Sequence, residues 1–133
     1  MSEENVEVVR RTYEAFNRGG LDAVTDLAHP DIEFVPPPIW PDSPTLRGID
    51  AIQEMARQWI ETFDDFQIAP ERFIEAGQDQ VLVFVRDRGR VKGSGAEIDN
   101  RFIHVWTIRE GKIAKWESFT DEAAALEAAG LSE

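Results

Sequence analysis

Hydrophobic positions recur at helical spacing three times in the first half of the chain. Val6, Val9, Tyr13 and Phe16 are three or four residues apart, which is the pattern of one buried face of an amphipathic helix. The predicted helices cover residues 3–17, 21–28 and 47–63.

The second half of the chain is dominated by strand patterns. Runs of β-branched and aromatic residues are separated by short turns that contain glycine, which is typical of antiparallel hairpins. The expected strands are 31–35, 66–74, 80–91, 98–108 and 112–120, and a short closing helix is expected at 121–129. Helices and strands are segregated along the chain. We therefore predict a single α+β domain over residues 1–133, with a strongly curved, mostly antiparallel sheet around three N-terminal helices.

The strand at 98–108 is apolar on both faces. Phe102, His104 and Trp106 share one face, which we expect to point inward toward the helices. The opposite face is formed by Ile103, Val105 and Thr107. An antiparallel sheet usually leaves one face to water, and no other part of the chain is left to cover this one. We therefore expect a homodimer that packs outer sheet face against outer sheet face.

The aromatic residues predict an apolar ligand pocket with few polar groups. We expect it to be lined by Phe16, Phe34, Trp40, Trp59, Phe63, Phe84, Phe102, Trp106 and Trp116. His104 could shuttle a proton beside a ligand, or it could be a hydrogen-bonded core residue. Tyr13 could donate a hydrogen bond to a bound carbonyl, or its hydroxyl could be satisfied within the core. Asp121 is either a catalytic carboxylate or the N-cap of the closing helix.

The segment 36–44 contains five prolines, which exclude a helix or a central strand there. Ile39 and Trp40 lie inside it, and large apolar residues in a loop usually pack onto another part of the fold. Their side chains could cover the mouth of a cavity.

Composition narrows the range of partners. The 133 residues carry a formal charge of −12, which disfavours nucleic acids and anionic membranes as partners. The chain has no apolar run long enough to span a membrane, no signal-peptide pattern, no cysteine and two histidines. We expect a cytoplasmic protein without a metal ion or other cofactor. Arg86, Arg88, Arg90 and Lys92 alternate along one strand, where they form either a solvated strand end with ion pairs to the many acids or an anion-binding stripe.

Four segments together carry a family pattern: residues 9–22, residues 29–34, Arg47-Gly48, and residues 105–113, which lead to Asp121. They resemble the nuclear-transport-factor-2-like superfamily, in its SnoaL-like and ketosteroid-isomerase-like branch. The resemblance implies a cone-shaped pocket, often in a dimer, that is open at one end to a small apolar molecule. This fold hosts isomerases, cyclases, dehydratases, epoxide hydrolases and non-catalytic proteins.

The resemblance also implies positions for the groups of a ketosteroid isomerase. The Asp base of those enzymes falls on Pro36, their Tyr acid falls near Thr12 with Tyr13 beside it, and their second acid falls on His104. Since two of these three positions are changed, steroid-isomerase chemistry is not expected.

Two other branches offer different sets of residues. SnoaL-type cyclases use a His and an Asp, for which His104 and Asp121 are the candidates here. Limonene-type epoxide hydrolases pair carboxylates with an Arg, which Asp99, Arg101 and Glu117 resemble in a different order.

We therefore expect a small dimeric protein that binds an apolar, polyketide-like or steroid-like carbonyl compound. As an enzyme it would be a cofactor-independent isomerase or cyclase, with His104 as acid or base and Tyr13 as hydrogen-bond donor. The alternatives are a non-catalytic ligand-binding or scaffold dimer, and an epoxide-hydrolase-like enzyme.

Overall fold

A computed structural model describes residues 2–38, 40 and 42–131 of the chain. In chain order the elements are α1 (Ser2–Gly19), a 3-10 helix (Gly20–Leu27), β1 (Ala28–Val35), β2 (Leu46–Arg47), α2 (Ile49–Glu61), β3 (Phe63–Ala76), β4 (Gln80–Val91), β5 (Glu97–Arg109), β6 (Lys112–Phe119) and α3 (Glu122–Ala128). The predicted α+β class is confirmed.

The strands form one mixed sheet in the order β2-β1-β6-β5-β4-β3. All neighbours are antiparallel except β1 and β6, which pair in parallel. Two elements differ from prediction. The second helix is a 3-10 helix that ends before Ala28, where β1 begins, and the two-residue β2 is too short to produce a sequence pattern. No helix among the described residues is long and apolar enough to cross a membrane.

The main core lies between the helices and the inner face of the sheet. Val9 and Tyr13 of α1 and Ile52 of α2 are at most 2% exposed, as the helical spacing predicts. They pack in one cluster with the inward residues of β4 and β5, which are Val81, Val83, Val85, Phe102, Trp106 and Ile108.

The outer face of the sheet is partly covered by the chain itself, because α3 folds back over it. Asp121 caps this helix, its Oδ2 accepting from the Ala124 amide at 3.3 Å. The small side chains Ala125 and Ala129 let the helix lie close over Ile103 and Val105, which are buried within one chain. The prediction that nothing else in the chain could cover these two residues was therefore wrong, since a seven-residue helix rich in alanine is enough.

The outward side of β4 and β5 continues as a set of ion pairs. Arg86 binds Asp99 through two nitrogens, and Arg101 binds Glu71 with Nη1 and Oε1 2.6 Å apart. Among the alternating arginines, Arg86 thus follows the ion-pair interpretation.

Asn17, near the end of α1, joins this helix to β3. Its Nδ2 donates to the carbonyl of Ile68 at 2.8 Å, and its Oδ1 accepts from the Ile68 amide at 3.0 Å. The two bonds fix the position of α1 at the wall of the sheet, where Ile68 is buried.

We expect Asn17→Ala to lower the free energy of unfolding by roughly 1–3 kcal/mol, because both backbone groups of Ile68 would lose a partner in a partly buried place. Urea denaturation would measure the change. Glu14→Ala, at an exposed position of the same helix, is the matched control and should stay within about 0.5 kcal/mol of the wild type. Equal stability of the two variants would contradict the anchoring role.

Candidate functional site

An inner cavity of about 50 Å³ lies between the helices and the concave face of the sheet. Its walls are mostly aromatic and aliphatic. The polar groups of the lining residues are the carboxylate of Asp87, the imidazole of His104, the hydroxyl of Ser118 and the N–H groups of the tryptophan indoles. The lining residues are Phe16, Phe34, Trp40, Met55, Ala56, Trp59, Phe66, Ile68, Asp87, Phe102, His104, Trp116 and Ser118.

A chain of buried hydrogen bonds holds one side of this site. The indole Nε1 of Trp106 donates to the hydroxyl of Tyr13 at 2.7 Å, and that hydroxyl is 2.8 Å from Nδ1 of His104. Because an indole nitrogen can only donate, the tyrosine oxygen accepts from it and its own proton is free for Nδ1. This arrangement favours the neutral tautomer of His104 that carries its proton on Nε2.

The electrostatics of the pair agree with this assignment. Burial lowers the pKa of His104 to about 3, so the imidazole is neutral near pH 7. Burial also raises the pKa of Tyr13 well above its usual value, against a smaller opposite effect of the hydrogen bond from Trp106. His104 lines the cavity, and no group of the described residues bonds its Nε2. It can therefore donate a hydrogen bond to a ligand.

Asp87 is the most unusual polar group of the site. It is 6% exposed, and no group of the described residues bonds its buried Oδ1. Burial raises its pKa to about 7, because an ionised carboxylate is poorly solvated in an apolar cavity. A buried carboxyl without a partner is costly to the fold, and such groups occur preferentially at functional sites.

The sequence analysis missed Asp87, although a signal for it exists. β4 directs Val81, Val83 and Val85 inward, and the period of two continues to residue 87. Asp87 lies between Arg86 and Arg88, whose side chains have the opposite parity on β4. An acid that continues a row of inward valines is the pattern that would have identified it.

Two further polar side chains stand near His104. Ser118 pairs with it across β5 and β6 and lines the cavity. Trp116 has a buried Nε1 that no described residue bonds, and its ring stacks on Trp106 with centroids 5.3 Å apart. The site thus combines an acceptor, Asp87, with donors that no described residue binds.

Of the aromatic residues predicted to line the pocket, six do so: Phe16, Phe34, Trp40, Trp59, Phe102 and Trp116. Ile39, which was expected beside Trp40 at the cavity mouth, lies outside the described residues. The cavity wall also includes Met55, Ala56, Phe66 and Ile68, which the sequence analysis did not select.

Three of the predicted lining residues lie elsewhere. Phe84 faces outward, where the guanidinium of Arg72 sits 5.6 Å from its ring centroid, because it has the opposite parity to Val83 and Val85 on β4. Phe63 packs behind the wall against the rings of Trp59 and Phe66. Trp106 is core: it binds Tyr13 and borders a separate apolar space of about 20 Å³.

The other candidate polar residues are not assembled at the cavity. Asp121 is exposed and caps α3, which is the plain alternative considered for it. Asp99 and Arg101 belong to the outer ion pairs, and Glu117 lies 3.8 Å from Lys115. Within the described part of the chain, no cluster of three or more His, Asp or Glu side chains could hold a metal ion.

Thr12 and Tyr13, the two candidates for the position of the ketosteroid-isomerase tyrosine, have different contacts. The hydroxyl of Thr12 donates to the carbonyl of Val8 at 2.8 Å within α1, while Tyr13 reaches His104. Tyr13, and not Thr12, is therefore the residue of α1 that contacts the polar site.

A family model described as the SnoaL-like domain matches residues 9–116, which is most of the chain. The chain belongs to the SnoaL-like domain family. An uncharacterised protein of Mycobacterium tuberculosis H37Rv is 26% identical to this SnoaL-like domain over 123 residues, covering 92% of this chain and 93% of the relative.

Solved structures agree with this assignment. TerC, co-crystallised with polyporic acid, is 28% identical, with a TM-score of 0.75 over 96% of this chain and 98% of its own. A putative SnoaL-like polyketide cyclase from Jannaschia sp. CCS1 is 22% identical, with a TM-score of 0.78 over 99% of this chain and 95% of its own, and it supports the fold. The resemblance inferred from the sequence is confirmed.

Asp87 and His104 should give opposite pH dependences of stability. The pKa of Asp87 is raised to about 7, so its contribution is most favourable below about pH 4 and is lost as the pH rises through 7. The pKa of His104 is lowered to about 3, so its contribution is lost as the pH falls from about 6.5. We expect Asp87→Asn to be more stable than the wild type above pH 7, with an advantage that shrinks toward pH 4.

The slope of this difference would be at most about 1.4 kcal/mol per pH unit, and the total roughly 4 kcal/mol as an upper limit. Urea denaturation from pH 4.5 to 8 would measure it. Asp79→Asn makes the same chemical change at an exposed turn, and its profile should follow the wild type. A stability difference between Asp87→Asn and the wild type that stays constant with pH would contradict the burial of an uncompensated carboxyl.

Proposed function

We propose that this SnoaL-like domain binds an apolar carbonyl compound in the inner cavity and moves a proton on a carbon next to the carbonyl group. The reaction class would be isomerisation or intramolecular cyclisation without a cofactor. The observation that carries this proposal is the buried Asp87, with its pKa of about 7 in the same apolar cavity as His104.

Asp87 is suited to the role of general base. A base is most effective when its pKa lies near the working pH, because it is then partly ionised and still holds a proton well enough to accept one. The carboxylate would take a proton from the carbon next to the carbonyl, and the electron pair would move to the carbonyl oxygen as an enolate.

His104 is suited to stabilise that oxygen. His104 lines the cavity and its Nδ1 is held by Tyr13, so the Nε2–H of the neutral imidazole would be the hydrogen-bond donor to that oxygen. Tyr13 therefore acts as a positioning residue, in place of the direct donor expected from the sequence. Protonated Asp87 would return its proton to a different carbon in an isomerisation. In a cyclisation the enolate carbon would attack a second carbonyl carbon, and the alkoxide formed there would take the proton from Asp87.

The relatives support a small-molecule ligand. TerC was crystallised with polyporic acid, and a protein from Catenulispora acidiphila with a ketosteroid-isomerase-like fold was crystallised with trimethylamine. Both contain an organic molecule, and the first is 28% identical to this chain. Polyporic acid is therefore a reasonable first probe of binding.

The proposed proton transfer can be tested without knowing the natural substrate. In D2O the wild type should catalyse deuterium incorporation next to the carbonyl of an alkan-2-one, measured by mass spectrometry. Asp87→Asn should lower the rate by about 10²–10⁴-fold, the usual contribution of a general base. Asp79→Asn should keep the wild-type rate. Equal exchange by the wild type and Asp87→Asn would remove Asp87 from the mechanism.

The small volume of the inner cavity favours a second candidate, a non-catalytic ligand-binding or scaffold protein. At about 50 Å³ the space is about one third of the roughly 150 Å³ cavity that binds benzene. The same experiment decides between the two. Fluorescence changes of Trp40, Trp59 or Trp116 on adding polyporic acid, without any deuterium exchange, would favour binding alone.

We also propose that the protein forms a homodimer through the rest of its outer sheet face. α3 covers Ile103 and Val105, but Ile74, Phe84 and Phe119 around it are only partly buried. Light scattering at micromolar concentration should give twice the single-chain mass of 15.1 kDa. Phe84→Glu should shift the protein to monomer because it would place a charge within an apolar interface. A wild-type mass equal to one chain would rule out this dimer.

A further inference from the structure

A second apolar concavity, here called the outer groove, lies directly outside the inner cavity. Its volume is about 270 Å³, and it runs between the proline-rich segment and α2. It is lined by Phe34, Pro36, Trp40, Ser43, Pro44, Leu46, Ala51, Glu54, Met55 and Gln58. Three of these residues, Phe34, Trp40 and Met55, also line the inner cavity. The two spaces therefore share a wall.

Trp40 is the largest side chain in that wall. Its ring is 5.5 Å from Trp59 and 6.4 Å from Phe34, measured between centroids. Its backbone amide donates to the carbonyl of Pro37 at 3.0 Å, which anchors the backbone at residue 40. Among the described residues no hydrogen bond holds the indole itself. The side chain can thus leave its ring contacts by rotation without breaking a polar bond.

The volumes indicate what the site can accept. The inner cavity is too small for a benzene ring, which occupies a cavity of roughly 150 Å³ elsewhere. Pockets for drug-sized ligands usually measure roughly 300–1,000 Å³. Neither space reaches that range alone, and the two spaces joined do.

The two largest polar side chains that line the outer groove, Glu54 and Gln58, are already paired. Gln58 donates to Glu54 at 3.1 Å, and Glu54 also binds Arg57 at 2.5 Å. The remaining lining is mainly proline, leucine, alanine and aromatic carbon. The groove is therefore suited to an uncharged apolar group.

We propose that Trp40 is a movable partition between two subsites and that the ligand is an elongated carbonyl compound. Its carbonyl end would enter the inner cavity beside Asp87 and His104, and its apolar tail would lie in the outer groove once Trp40 has turned aside. This inference rests on the proposed function for the position of the carbonyl group.

A homologous series of alkan-2-ones from 2-butanone to 2-undecanone tests the subsite directly. Each methylene that enters the groove should tighten binding about fourfold, measured by tryptophan fluorescence or by ligand-observed NMR. Ala51→Phe fills the groove from an exposed position of α2. It should abolish the gain for long ketones and leave 2-butanone binding unchanged. Ala123→Phe, at an exposed position of α3, is the matched control and should behave like the wild type.

The role of Trp40 is tested by the rate of association. Trp40→Ala should bind 2-undecanone at least tenfold faster than the wild type in stopped-flow mixing, because no side chain has to move first. An unchanged association rate would overturn the partition. A wild-type affinity that does not depend on chain length, or that Ala51→Phe does not alter, would overturn the subsite.

These outcomes are separable from failure of the proposed function. Deuterium exchange that depends on Asp87 but not on chain length would support the reaction and overturn the elongated ligand. A chain-length series that is sensitive to Ala51→Phe, without any exchange, would support the groove and overturn the reaction.

Discussion

The hydrogen bonds that meet at the hydroxyl of Tyr13 hold the two halves of the fold together. Tyr13 lies on α1, whereas Trp106 and His104 lie on β5, more than 90 residues later in the chain. In an apolar interior each of these polar groups would be costly if unpaired, so the helix can pack on the sheet in few other registers. The same bonds set the tautomer of His104. A requirement of folding therefore also determines which ring nitrogen is available to a ligand.

Asp87 has the opposite character, because the fold supplies it with no partner for Oδ1 among the described residues. The two groups respond to the same apolar surroundings with pKa shifts of opposite sign, and both are driven toward their neutral forms. The cavity thus holds an acid and an imidazole of low charge within aromatic walls. Such a setting suits a reaction in which charge appears only transiently on the ligand.

Much of this architecture could be predicted from the order of apolar positions. The period of 3.6 placed Val9 and Tyr13 inward, and the period of two placed Phe102, His104 and Trp106 on one face. Periodicity failed where a strand is apolar on both sides, as at Phe84, because the sequence then does not show which side chains face inward. It predicted the closing helix but not that α3 covers the outer face of the sheet, because an alanine-rich helix carries little hydrophobic signal while small side chains allow close packing. The position of Asp87 was present in the pattern, but its burial depends on the curvature of the sheet, which one sequence does not reveal.

The parallel pairing of β1 with β6 has a consequence for the order of assembly. Phe34 lies beside Trp116 across this pair, with ring centroids 4.3 Å apart, although 82 positions separate them in the chain. Contacts between such distant residues form slowly, because the entropy of closing a long loop is lost before the contacts contribute any favourable energy. During synthesis the aromatic wall of the cavity stays incomplete until the last strand has left the ribosome. Until then β1 lacks β6, the strand that joins it to the rest of the sheet, so the apolar residues of β1 remain without part of their final cover.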